Sequence, residues 1–173
     1  AHFFVTLYSL ALLDSMGIRF DSTYFVNALA GRALSCIDSL KHLRQLLIAS
    51  IWFGTFEVPK SLIQQFRKEA EEQFNASNEL ERRVSGAIEI DHAFDYLVEE
   101  LLVRVEIYLP KSRTIVKVDG PFEFRKDGTR TAKANLMTKC LERLGYQVVR
   151  VGYREVDGCS DSELKKIMRD LLK

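Results

Sequence analysis

Asp119 stands at the end of a short β-branched run, Thr114 to Val118, and is followed by Gly120-Pro121-Phe122, the composition of a tight turn. Cations gather along the chain on either side of it: Lys117 before it, Arg125, Lys126, Arg130, Lys133 and Lys139 after it, and Arg150 and Arg154 at the next apolar run. Arg125 to Lys133 spans a loop and the first turn of an expected helix, where free backbone N–H groups and the helix dipole already favour a phosphate oxygen. On the residues alone a solvated basic surface is the favoured reading, with positioning on a nucleic-acid backbone, without reading base identity, as the other. For Asp119 the bland role is to accept backbone hydrogen bonds in the Gly120-Pro121 turn, with Gly120 supplying an unusual backbone angle and Pro121 stiffening the exit. Phe122 and Phe124 are expected in the core, although a phenyl beside a basic loop is also suited to stacking on an unpaired base.

The elements that position these residues follow from periodicity. A strand over Thr114 to Val118, a loop over Gly120 to Arg130, a helix over Thr131 to Leu144, Gly145 as its stop and a strand over Tyr146 to Val151 make a βαβ unit. Ligands of such units collect at strand carboxyl ends and helix amino termini. In the helix, Leu136, Met137, Cys140, Leu141 and Leu144 claim the apolar face, which leaves Lys133 and Lys139 off it. Upstream, Val103 to Leu109 alternates as a strand, with Pro110 to Arg113 as a hairpin turn. Asn78 with Glu81 resembles a capping box that opens a helix running out near Ile90. Ser160 with Glu163 opens a last helix, with Leu164, Ile167, Met168, Leu171 and Leu172 on one face.

The first 75 residues have helical spacing throughout: His2 to Met16, Ser22 to Ser35, Ser39 to Phe53 and Pro59 to Phe74, with Gly17 and Gly54 as stops. Helix starts recur with an offset near 37 residues (Phe3 to Leu40, Thr23 to Lys60), the period of a helical-hairpin repeat. Two regions are therefore expected, α-helical hairpins over 1–75 and an α/β domain over 78–173.

Composition excludes several classes. At 47% hydrophobic and 28% charged, the 173 residues are those of an ordinary globular chain rather than a disordered or collagenous one. Cys36, Cys140 and Cys159 have neither CxxC spacing nor histidine partners, so neither a disulfide framework nor a zinc site is expected. The most apolar run, Leu43 to Phe53, is broken by Arg44, Gln45 and Ser50, so a soluble chain without a membrane partner is expected. A start at Ala1 fits a processed form. Residues 1–106 hold 10 Lys+Arg against 15 Asp+Glu, whereas residues 107–173 hold 15 against 9, which points the second half toward an anionic partner.

The string Ile115-Val116-Lys117-Val118-Asp119-Gly120-Pro121-Phe122-Glu123-Phe124, followed by Leu144-Gly145-Tyr146-Gln147-Val148-Val149 and Tyr153, resembles the RAP domain. That family pairs a strand ending in Glu-x-Asp-Gly-Pro-x-His-Phe with a basic helix ending in Leu-Gly-Tyr or Leu-Gly-Trp, then Val-Val and a Tyr. The resemblance extends upstream to the helix at Leu80 to Ile88 and the strand Val105-Glu106-Ile107-Tyr108-Leu109-Pro110, covering about the last hundred residues. It implies a restriction-endonuclease-like α/β core of the PD-(D/E)xK type, association with RNA, and residence in mitochondria or, alternatively, plastids, often behind helical hairpins. Members act in organellar RNA processing, stability and ribosome assembly, and some are built into mitochondrial ribosomes.

Phosphodiester cleavage on such a core needs two or three carboxylates converging on divalent cations. The candidates are Glu81, Glu106 and Asp119. Where the family commonly carries glutamate two residues before Asp119, this chain has Lys117, on the same strand face, and Glu123 replaces the usual histidine before Phe124. An ammonium there repels Mg²⁺ and removes a ligand, though it is able to hold a phosphate. The expectation is a binder rather than an enzyme, without bound metal or cofactor. It would contact ribosomal RNA and the proteins of a ribonucleoprotein complex, as a mitochondrial ribosome subunit or assembly factor. Two alternatives stand beside it: a metal-dependent endoribonuclease, and a structural subunit that contacts only protein.

Overall fold

A computed structural model describes residues 2–19, 23–73 and 78–173. Along the chain these form α1 (His2–Ser15), α2 (Thr23–Leu34), α3 (Leu40–Phe53), α4 (Lys60–Glu72), α5 (Glu79–Ala87), β1 (Ala93–Val98), β2 (Val103–Leu109), β3 (Thr114–Asp119), α6 (Ala132–Arg143), β4 (Gln147–Gly152), α7 (Tyr153–Val156) and α8 (Asp161–Leu171). Helices come first and a mixed α/β arrangement follows, as the periodicity predicts. Ser22 and Phe74, expected at helix ends, lie outside the described residues.

Two compact units share these elements. The first takes the described part of residues 1–73 together with 98–103 and 132–144, and thus includes α6. Its helices start and stop where local chemistry dictates: the Ser39 hydroxyl accepts from the His42 N–H at 3.3 Å, and Gly54, at φ 65°, donates its N–H to the Ser50 carbonyl at 2.8 Å. Phe4, Leu7, Val26, Ala30, Ala33, Leu46 and Ala49 form its apolar centre. Helix α6 packs on α1 and α3, with Cys140 fully buried and its thiol pushed up to about 11 by that burial.

The second unit takes the described part of residues 74–97 with 104–131 and 145–173. The strands lie in the order β1-β2-β3-β4, with β2 antiparallel to β3 and β3 parallel to β4. The βαβ connection expected from sequence is thus present. One sheet face contributes Ile107, Leu109, Val116, Val118 and Val151 to a core with Val84 and Ala87 of α5, Ile88 just after it, Val156 of α7 and Leu164 and Met168 of α8. The capping boxes at Asn78/Glu81 and Ser160/Glu163 are formed, and Gly145 stops α6 at φ 84°. Helix α5 ends at Ala87, short of Ile90, where the backbone of Ile88 turns extended at φ −87° and ψ 115°, and residues 93–98 follow as the edge strand. Among the described residues no helix is long and apolar enough to cross a membrane.

Candidate nucleic-acid interface

Strand alternation sends the residues between the core positions to the opposite sheet face, and strand register decides which of them meet. Lys117 pairs with Arg150 across the parallel β3–β4 ladder and Asp119 with Gly152, while the register Ile107↔Val116 brings Glu106 opposite Lys117 across the antiparallel one. Asp119, only 1% exposed, accepts from Nε of Arg150 at 2.8 Å, from Nη2 of Arg150 on its other oxygen, and from Nε of Arg130 at 2.8 Å. It is thus held by a two-point guanidinium fork and a second guanidinium. This corrects the expected backbone-accepting role: the carboxylate ties the loop to the sheet through arginine side chains. Gly120 is also corrected, since its φ of −72° and ψ of 174° are ordinary extended backbone, the conformation that a following proline imposes on any residue.

From Asp119 the chain makes a 3₁₀ turn over Pro121–Glu123, closed by Glu123 N–H to the Gly120 carbonyl at 3.1 Å and Phe124 N–H to the Pro121 carbonyl at 3.2 Å. Phe124 and Arg130 then pair as an isolated antiparallel bridge. The reversal between them is held by Arg125 N–H to the Thr129 carbonyl at 2.7 Å and by Asp127, whose carboxylate accepts from the Thr129 N–H at 2.9 Å and its hydroxyl at 2.6 Å. Those bonds hold the Asp127 carboxyl below its usual range. The ring of Phe124 is anchored, edge-to-face with Tyr153 at 5.8 Å and beneath the Arg130 guanidinium at 5.6 Å. Gly152 makes room for it, since a Cβ there would lie 3.1 Å from Phe124 Cζ.

Phe122 is 96% exposed, which corrects its expected place in the core. Arg125 and Lys126 are exposed, and neither has a carboxylate within ion-pair distance among the described residues. Arg154 is exposed too, with its guanidinium over the Tyr153 ring and its Nε donating to the Tyr153 hydroxyl at 3.0 Å. The other expected RNA contacts have internal partners in this unit: Lys117 donates to Glu106 at 2.7 Å, Arg150 is 9% exposed on Asp119, and Arg130 is 34% exposed there. Lys133 and Lys139 belong to the first unit, on α6. Both are exposed, and Lys139 also donates to the Ser15 carbonyl at 3.2 Å and lies over Trp52. The packing of Tyr153 on Phe124 and the openness of Phe122 were missed in the sequence; the Asp-Gly reversal at 127–128 was the signal that the loop turns back there.

The candidate metal ligands do not fit a divalent cation. Glu81 is taken up by its capping box, accepting from Asn78 N–H at 3.2 Å and Asn78 Nδ2 at 2.9 Å. Burial first, and then the Glu106 charge, push its carboxyl above the ordinary value. Glu106 has one oxygen on Lys117 and the other buried without a hydrogen-bond partner, and Asp119 is neutralised by its arginines. Among the described residues no three His, Cys, Asp or Glu side chains converge as a metal-binding group.

Residues 116–170 match the family model of the RAP domain, a segment that runs from β3 to the end of α8 and contains Asp119 and all eight cations of the expected interface. Glu81 and Glu106 lie before it. No curated protein matches the chain. The sheet end, its loop and the helices that follow, about a third of the chain, are therefore similar to the RAP domain, which points to RNA binding.

Proposed function

We propose that this chain is a non-catalytic RNA-binding protein of an organelle, a mitochondrial ribosome subunit or assembly factor that contacts ribosomal RNA. The observation that carries the binding reading is the loop tip, where Arg125 and Lys126 stand exposed and in no ion pair among the described residues, on a reversal fixed by backbone and Asp127 hydrogen bonds. Unpaired cations on a fixed loop are what a phosphate backbone selects, because no internal ion pair has to be broken on binding. Absence of catalysis is supported by Asp119, whose carboxylate is buried under two arginines, and by Lys117 on Glu106. The element order α5, β1, β2, β3, α6, β4 is compatible with the endonuclease-like core that the resemblance implies. Mitochondrial residence, with the plastid as the alternative, rests on that resemblance alone.

The test is ultraviolet crosslinking of the tagged protein in intact cells with sequencing of the recovered RNA, beside a variant neutralised at Arg125, Lys126, Arg130 and Lys133. Discrete crosslinks on organellar ribosomal RNA that vanish in the variant support the reading. Recovery of no RNA from either protein moves the weight to a subunit that contacts only protein, and Mg²⁺-dependent cleavage by the purified chain, lost in Asp119→Ala, would establish a nuclease.

A further inference from the structure

Phe122 and Phe124 are two residues apart, of the same type, and treated oppositely by the fold. Phe124 is locked between Tyr153, Arg130 and Gly152, and that anchoring leaves Phe122 on the outside of the 3₁₀ turn at 96% exposure. The turn is stiff. Pro121 fixes one backbone angle, two backbone hydrogen bonds close it, and Thr131 N–H binds the Glu123 carbonyl at 2.8 Å immediately after it. A phenyl displayed in this way pays the full hydration penalty of its apolar surface, with little conformational freedom left to lose when a partner covers it.

What covers it is indicated by the residues around it in the chain. Glu123 adjoins it and Asp127 closes the reversal with its carboxylate on the Thr129 N–H and hydroxyl, whereas Arg125 and Lys126 between them form no ion pair among the described residues, so the ring stands beside charged rather than apolar neighbours, two of them cations open to a ligand. An apolar protein surface would have to desolvate those charged side chains. A nucleotide supplies both requirements together, a flat base for the ring and a phosphate for the cations, and only an unpaired nucleotide has its base face free. We propose that Phe122 is a stacking platform for an unpaired RNA base, with Arg125 and Lys126 on the flanking phosphates, so that the domain prefers single-stranded loops or bulges to duplex. This deepens the RNA-binding reading and rests on it.

The test measures affinity of the full chain at one fixed salt concentration for two RNAs of equal phosphate number, a hairpin with an unpaired adenosine loop and a blunt duplex. Wild type is compared with Phe122→Ala, Phe122→Trp and Arg125→Gln/Lys126→Gln. Stacking on one base predicts that Phe122→Ala loses on the order of tenfold or more on the hairpin, with no change on the duplex and an unchanged salt slope. The indole introduced by Phe122→Trp keeps the affinity, and its fluorescence is quenched on binding. Thermal unfolding of each variant should match wild type, since the ring makes few contacts. Phe122→Ala binding the hairpin as tightly as wild type, while Arg125→Gln/Lys126→Gln weakens it, overturns the stacking platform and leaves the RNA reading standing. Equal loss on both RNAs also overturns it, by showing that Phe122 supports only loop shape. Failure of wild type to bind either RNA overturns both readings.

Discussion

Around Asp119 the charges are closed on one another, whereas a few residues along the same loop they are open. At the sheet end Arg150 and Arg130 meet Asp119, and Lys117 meets Glu106. At the loop tip Arg125 and Lys126 form no ion pair among the described residues, and Phe122 meets solvent. The same residue types therefore serve two purposes. Cations with buried partners hold the loop to the sheet, and cations without partners are available to a ligand. Helix α6 repeats the lesson in the other unit, where Arg143 lies 4.0 Å over Trp52 and donates to its carbonyl, while Lys133 of the same helix is exposed.

Breaking the closed region should have the largest effect. Asp119→Ala removes the buried carboxylate that Arg150, 9% exposed, and Arg130 share, and should cost about 3–5 kcal/mol in urea unfolding. A loss under about 1 kcal/mol would show that the arginines do not depend on it. Lys117→Gln leaves Glu106 without its charged partner, one oxygen being already unsatisfied, and should cost about 1–3 kcal/mol in the same measurement. Arg125→Gln and Lys126→Gln touch the open region and should shift stability by no more than about 0.5 kcal/mol, yet weaken RNA binding. Stability lost there instead would erase the distinction. The smallest effect is a pH dependence. The Glu81 carboxyl, raised by burial, holds its proton more readily in the folded chain, so it costs stability above its folded value and that cost disappears as the pH falls through it. Glu81→Gln, still able to accept from Asn78 N–H, should unfold at a higher temperature than wild type at neutral pH. The gap should close as the pH approaches the ordinary carboxyl value of 4.5.

Much of the frame was legible because it is local. Asn78 with Glu81, Ser160 with Glu163, and Gly54 and Gly145 announce helix ends within a few residues, and the caps formed accordingly. The shift from helical spacing to strand, loop, helix and strand after Val103 likewise marked the βαβ unit. The partners of Asp119 were not legible. Arg150 lies 31 residues away and reaches it only because β3 and β4 pair in parallel in one register, and register is a tertiary choice. Phe122 was misplaced because apolarity predicts burial on average, while the turn and the anchoring of Phe124 decide which of two phenyls goes in. Gly120 was misjudged because its own freedom drew attention away from Pro121, which dictates an extended angle.

The central claim is that the open cations, and not the closed ones, contact the RNA backbone. The most direct measurement is the slope of log affinity against log salt for a structured RNA, with Arg125→Gln/Lys126→Gln and Lys117→Gln each compared with wild type. Each phosphate contact contributes roughly 0.7–0.9 to that slope. The account predicts a slope shallower by about 1.4–1.8 for the double variant and no change for Lys117→Gln, whose ammonium is held by Glu106. An unchanged slope in the double variant, or the larger change in Lys117→Gln, would contradict it.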